Sequence, residues 1–408
     1  MELMEKTEAQ ILDANNVLVA LPPFDDKSLI PGFCGSTITL DDLSSGLLTF
    51  SEKTVYLCGD VSKASGLNVN TAERVFVIHE LSRGYERESK TWTSVDLGRV
   101  PISVHNVGVY CRRFFATEID YFNRICAEHA FQSLTESTKP SIAQRTGIYL
   151  TPVEEDAEGL HFRLLRCSTN FAGPTENFRE TDTRIVNALN REAAFLFEGH
   201  TPLNHVLAQI YHNTPTADGQ KQSKAKISAH ADKTKDMPTN GIMAFCTFYD
   251  RLDKLRPMID DPFDYGHKGI SGLARLHFRL KEPAAVECGC TLPAEFTLTL
   301  YPNSAFFMPL STNRLYTHEI RPSPLDADLL PTRLGYVVRC SSTEALHRDG
   351  HTFLKMDGKF VDLEPATPEG MAALRKLYAE ENKTQGFIDY GNKFLFSMNT
   401  GDYLAPRV

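Results

Sequence analysis

Ile227-Ser228-Ala229-His230-Ala231-Asp232 is the stretch on which the fold turns. In an extended segment side chains alternate between two faces, so His230 and Asp232 point the same way and can hold one metal ion between them. A second stretch, Tyr316-Thr317-His318, brings another imidazole, and the strand-like run Arg333 to Arg339 follows it. Two imidazoles and one carboxylate combine borderline nitrogen with hard oxygen. That set suits a divalent first-row metal such as Fe(II), with coordination positions left open.

A His-x-Asp pair alone is a weak signal, and the surrounding pattern strengthens it. Leu276–Leu280 and Phe296–Leu300 alternate apolar and polar residues, and Ser304–Met308, Arg314–Ile320 and Arg333–Cys340 continue as short strands. A succession of this kind points to a β-sandwich or barrel, with His230, Asp232 and His318 facing one interior. Arg333 and Arg339 are an even number of residues apart and so share a face. Guanidinium forks bind carboxylates, and a dicarboxylate would use both arginines. Gly335, between them on that face, leaves room where a ligand would lie. The other reading is a structural network with Asp or Glu, since buried charges must be matched.

Farther out, Asn16–Leu21, Thr54–Leu57, Arg74–Ile78 and Ile102–Tyr110 read as strands bounded by turn residues. Apolar residues at helical spacing predict helices over Glu118–Glu136 and Thr181–Glu198, the second capped by Thr181 or Asp182. His129, beside the first stripe, reads as structural. Gly241–Tyr249 is an apolar run of strand length, as expected of a strand buried on both faces. Asp250–Gly272 is a long connection rich in Asp, Pro, Gly and Arg, of the kind that is functional or mobile. Asp357-Gly358 marks a hairpin, and Thr367-Pro368 opens a last helix running to about Glu381.

The 408 residues are 42% hydrophobic and 23% charged, enough for a sizeable core. The net charge of -9 argues against a whole-molecule footprint for nucleic acid, although Lys221, Lys224, Lys226, Lys233 and Lys235 gather around the metal stretch. Nine scattered cysteines read as reduced thiols, with Cys288-Gly289-Cys290 as a turn rather than a metal clip. The acidic N-terminus and the lack of a long apolar run predict a cytoplasmic or nuclear chain, not secreted and without a membrane span.

The order His230-x-Asp232, His318, Arg333 resembles the Fe(II)/2-oxoglutarate-dependent dioxygenase superfamily. The text around it is most similar to the AlkB-type branch: Leu300-Tyr301-Pro302-Asn303-Ser304 through Leu310, then Thr317-His318-Glu319-Ile320, then the Arg333 to Arg339 spacing. The resemblance covers residues 203–341, and nothing before residue 176 shares it. It implies an α+β, mainly β chain: a double-stranded β-helix (jelly roll) core over 177–345 with flanking helices, a strand-rich N-terminal extension over 1–176, and a hairpin and helix over 346–408.

It further implies that His230, Asp232 and His318 bind Fe(II), that Arg333 grips the distal carboxylate of 2-oxoglutarate, and that Arg339 lies nearer the metal-bound end. No catalytic residue beyond the metal ligands is expected. The family's Asn-x-Tyr pair reads Gln209-Ile210-Tyr211 here, so Tyr211 carries over and Asn213 could stand in for the Asn. The implied reaction uses O2 to hydroxylate or demethylate a substrate C–H, giving succinate and CO2. A small-molecule or protein substrate is favoured over a modified nucleic-acid base. The reading from another class is a non-catalytic, cupin-like metal-binding protein.

Overall fold

The computed structural model describes residues 15–24, 29–43, 50–66, 69–135, 142–166, 171–215, 222–282 and 292–408. At its centre are the strands His205–Tyr211, Ile227–His230, Ile242–Asp250, Arg275–Leu280, Glu295–Thr299, Ser304–Pro309, Tyr316–Arg321 and Thr332–Arg339. Counted in that order, they lie first-eighth-third-sixth in one antiparallel sheet and second-seventh-fourth-fifth in another. Apart from the fourth and fifth, successive strands thus cross between sheets, and residues distant in sequence become neighbours.

The two sheets pack face to face. From Ile242–Asp250, Met243 and Phe245 point inward to meet Leu276, Phe278 and Ile320 of the smaller sheet. Ala244, Cys246 and Phe248 point outward onto the helices Tyr121–Glu128 and Glu180–Leu196. Apart from Thr247, this strand is apolar from Ile242 to Tyr249 because both of its faces are covered. In the inner layer Phe278 stacks on Phe296 with ring centroids 4.6 Å apart. Truncating Phe278 to Ala would cost about 3–5 kcal/mol.

The larger sheet has nine strands, drawn from both sides of residue 176: Ile102–Val104, Gly108–Cys111, Gln132–Thr135, Ile142–Thr151 and Glu176–Asn177 all join it. Ile102–Tyr110, read as one strand, is a hairpin. His105 and Asn106 have φ of 51° and 58° and reverse the chain. The helix expected over Glu118–Glu136 is shorter, Tyr121–Glu128, because His129 leaves helical geometry and Gln132–Thr135 pairs with Ile142–Thr151. The second helix starts at Glu180, with Asp182 accepting the Arg179 N–H at 2.8 Å. Arg314 and Leu315, read as strand, end the short helix Leu310–Leu315.

The N-terminal strands form their own five-stranded sheet, all parallel, in the spatial order Ser36–Thr39, Asn16–Ala20, Thr54–Asp60, Arg74–Arg83, Thr93–Val95. It is fastened to the core through Glu192, on the Glu180–Leu196 helix. The fully buried Glu192 Oε2 accepts from Arg74 Nη1 at 2.8 Å and from Arg99 Nη2 at 2.6 Å. A cleft of about 800 Å³ runs along this junction, lined by Trp92, Arg74, Arg99 and Arg113 among others.

At the other end, Glu154–Asp156 and Gly159–Leu164 join Thr343–Arg348, His351–Met356 and Lys359–Asp362 in a third sheet. Its Asp357-Gly358 turn has φ of 49° and 79°, the positive pair that a two-residue hairpin of this hand requires. The helix Pro368–Glu381 follows, capped by Thr367, whose Oγ1 accepts the Gly370 N–H.

Asp250–Gly272 holds a small three-stranded sheet of its own. Its Phe263 is covered by the Arg112 and Arg113 guanidiniums, and Asp261 accepts the Tyr301 hydroxyl. The described cysteines Cys34, Cys58, Cys111, Cys126, Cys246 and Cys340 are not joined in disulfides. Cys288-Gly289-Cys290 and Lys221 lie outside the described residues. Among those residues, no helix is long and apolar enough to cross a membrane.

Candidate metal centre

His230 and His318 are directly opposite one another on neighbouring antiparallel strands of the smaller sheet. That register puts their ring centroids 4.5 Å apart. Asp232 lies just past the end of its strand, yet its Oδ1 reaches 3.5 Å from His230 Nε2 and 3.9 Å from His318 Nε2. One donor atom from each residue falls within 4.8 Å of the others. Octahedral donors at ordinary bond lengths stand roughly 3 Å apart, so the three need close only slightly to share one ion.

Each ligand is held from behind. His230 Nδ1 donates to the Ser228 carbonyl at 2.9 Å, which leaves Nε2 free to coordinate. His318 is wedged between Phe245 and Phe278, with ring centroids 5.5 and 5.8 Å away. Burial pushes its pKa down to about 3, so the ring is neutral and able to ligate. The second oxygen of Asp232, Oδ2, accepts from Arg339 Nε at 2.9 Å and Nη2 at 2.7 Å. Burial alone would raise the Asp232 pKa, but the Arg339 charge and the two histidines outweigh it and hold the carboxyl well below its usual range. Asp232 and His318 are buried while the His230 side chain is 32% exposed, so the centre opens on the His230 side.

Arg339 thus stands directly against Asp232. Its fork is closed on a metal ligand and turns Oδ1 toward the imidazoles. Arg333 behaves differently: its guanidinium lies over the Tyr211 ring, 3.7 Å from the centroid, and its buried Nε and Nη2 have no partner among the described residues. A buried cation with unused donors calls for an anion. Gly335 makes this placement possible, since a Cβ there would come within 2.8 Å of Arg333 Nη1 and 3.2 Å of Tyr211 Cε2. The guanidinium thus leans along the strand toward Arg339, which is four residues or roughly 13 Å beyond Gly335.

Tyr211 stacks on Arg333, and its hydroxyl donates to Gln209 Oε1 at 3.3 Å. Asn213 has a mainly structural position: it accepts the Ala225 N–H at 3.3 Å and donates to the Pro331 carbonyl at 3.4 Å. It still lines, with Tyr211 and Arg333, a cavity of about 20 Å³, the size of one water. Of the lysines near the site, Lys224 bonds the Ser323 and Pro324 carbonyls, Lys233 the Tyr378 carbonyl and Asn382, and Lys235 pairs with Asp236.

Residues with no sequence signal hold the Asp232 backbone. Asn313, in the Leu310–Leu315 helix, accepts the Asp232 N–H at 2.8 Å and donates to the Asp232 carbonyl at 2.9 Å. A second cluster, Glu128, His129 and Asp182, is a different kind of object. Both nitrogens of His129 are engaged by carboxylates, Glu176 at 3.0 Å and Asp182 at 2.7 Å, so the ring expected to be structural is a buried bridge between them.

No family model matches the sequence, and no curated protein does. Over part of its length the chain is similar to a solved structure of OsALKBH1, with TM-score 0.34 and 12% identity over 57% of this chain and 97% of that one. It is also similar to a Pseudomonas putida prolyl-4-hydroxylase, with TM-score 0.28 and 12% identity over 54% and 81% of the two chains. A third similar structure is the non-heme alpha ketoglutarate dependent epimerase SnoN from nogalamycin biosynthesis, with TM-score 0.28 and 11% identity over 55% and 71%. At TM-scores this low the overlap carries little, and the site stands on its own geometry.

Proposed function

We propose that this chain is an Fe(II)- and 2-oxoglutarate-dependent dioxygenase on a double-stranded β-helix, the arrangement that its first-eighth-third-sixth and second-seventh-fourth-fifth strand order matches. The observation that carries the reading is the pairing of the His230–Asp232–His318 donor set with the buried, unpartnered guanidinium edge of Arg333. An inert barrel has no need of such a cation, which weighs against a purely metal-binding protein.

The residues divide the work. His230, Asp232 and His318 would hold Fe(II), at a site that is open to solvent on the His230 side. Bound there with 2-oxoglutarate and O2, the iron supplies oxidation of a substrate C–H bond, with succinate and CO2 as products. Arg333 would bind the distal carboxylate, with the Tyr211 ring fixing its plane. Arg339 orients Asp232. Phe245 and Phe278 exclude water from the His318 side.

The substrate is a small molecule or a protein side chain. The acidic chain and the engagement of Lys224, Lys233 and Lys235 in internal contacts support this over a nucleic acid.

The test is anaerobic addition of Fe(II) and 2-oxoglutarate to the purified protein. A weak visible charge-transfer band is expected, together with succinate release in air. Asp232→Ala should lose both, and Arg333→Ala should raise the 2-oxoglutarate requirement. A colourless mixture at saturating concentrations would refute the reading.

A further inference from the structure

The strand carrying His230 ends at that residue, so the next two peptides, which set the spacing between His230 and Asp232, have no ladder to hold them. Two asparagine side chains take the ladder's place. The Ala231 N–H donates to Asn382 Oδ1 at 2.8 Å, and the Asp232 N–H donates to Asn313 Oδ1 at 2.8 Å. Asn313 belongs to the sandwich, but Asn382 stands at the end of the C-terminal helix, some 150 residues away in sequence.

More of that helix end reaches the same loop. Asn382 Oδ1 also accepts from Lys233 Nζ at 2.8 Å, and the Tyr378 carbonyl accepts from the same ammonium at 3.0 Å. Glu381 Oε1 accepts both the N–H and the hydroxyl of Thr234, while its Oε2 accepts from the Tyr390 hydroxyl at 2.6 Å. The buried Lys281 ties the two supports together. Its Nζ donates to the Asn313 carbonyl at 3.2 Å and to the Glu381 and Thr384 carbonyls at 2.8 and 3.0 Å, a cation where the helix dipole favours one.

We propose that the end of the C-terminal helix, through Asn382 and Glu381, is part of the metal centre: a strap that holds the Ala231–Thr234 loop so that His230 and Asp232 face one ion. Asn382 is a positioning residue, since it touches neither the ion nor a substrate. The proposal rests on the metal-centre reading above and extends it to a segment outside the sandwich. Supporting groups behind metal ligands typically set affinity by 10- to 100-fold, so removing Asn382 should act on metal binding first.

The experiment titrates the full-length, metal-stripped protein with Co(II) alone, following its visible absorption, and records thermal unfolding of each variant in chelator. Asn382→Ala should weaken Co(II) binding about 10- to 100-fold. Asn382→Asp, which keeps the acceptor oxygen, should restore most of it. Thr234→Val, which removes a Glu381 contact from the loop side, should weaken it as well and serves if Asn382→Ala fails to fold. Leu374→Ala, in the same helix but inside its apolar cluster, should lower the melting temperature and leave Co(II) affinity unchanged.

If the parent binds Co(II) while Asn382→Ala and Thr234→Val bind it equally well, the strap is wrong and the metal centre stands. If Leu374→Ala loses affinity as Asn382→Ala does, the effect is general loosening and positioning is refuted. If the parent takes up no Co(II), the metal-centre reading falls and the strap with it.

Discussion

Replacing Arg339 by Met tests the charge arrangement at the centre of the site. The substitution keeps an unbranched chain of similar length and removes the cation that donates to Asp232 Oδ2 at 2.9 and 2.7 Å. Breaking a buried pair by removing one partner costs about 3–5 kcal/mol, because the other charge is left without compensation. The lower end is taken here, because the centre opens to water on the His230 side.

A loss of about 3 kcal/mol is roughly a hundredfold in the ratio of folded to unfolded protein. The assay is denaturant unfolding in chelator at neutral pH, repeated with excess Mn(II). A divalent cation at the three ligands supplies the missing positive charge, so the deficit should shrink to about 1 kcal/mol when metal is bound. The sign with pH follows from the depressed Asp232 pKa. The pair's contribution is complete above the ordinary carboxyl value of 3.8, so the gap between the proteins should persist down to that pH and close below it as Asp232 protonates. Equal stability of the variant and parent in chelator would refute the account of Arg339 as the counter-charge of Asp232.

Gly335→Ala should push Arg333 off the Tyr211 ring and weaken 2-oxoglutarate binding about tenfold while Co(II) affinity is unchanged, as anaerobic titrations of each would read. At His129 burial lowers the pKa, but the Asp182 and Glu176 carboxylates outweigh it and the net shift is upward. That clamp is complete below the ordinary histidine value of 6.5 and is lost as pH rises through the raised folded value. His129→Gln should therefore cost about 2 kcal/mol at pH 6 and less at pH 9, measured by unfolding at both. An equal cost at both would show that the ring is neutral in the folded protein.

The parts of this architecture that were legible in the sequence are those written with a short period. Alternation along Leu276–Leu280 and Phe296–Leu300 marked the sandwich strands, Asp357-Gly358 marked its hairpin, and Thr367-Pro368 marked the last helix. The grouping of His230, Asp232 and His318 was legible because two lie at one strand end and the third sits in a strand of the same series. The direction of the N-terminal strands was not, since Val17–Ala20 and Val55–Cys58 are buried runs whose composition is the same in parallel and antiparallel sheets. Nor was the division between Arg333 and Arg339. Equal spacing places both on one face, but only the position of Asp232 past its strand end decides which is neutralised. Asn382 and Asn313 left no trace at all, because a side-chain amide bonded to a distant peptide has no periodicity to betray it.

Glu192 carries a consequence for how the molecule can be divided. Its carboxylate is fully buried on a core helix, and both arginines that neutralise it, Arg74 and Arg99, come from the N-terminal region. A shortened chain beginning after residue 115 would keep the anion and discard its counter-charges. It would also strip two strands from the edge of the nine-stranded sheet. The β-sandwich is therefore not severable from what precedes it, and the two should be expressed and unfolded as one body.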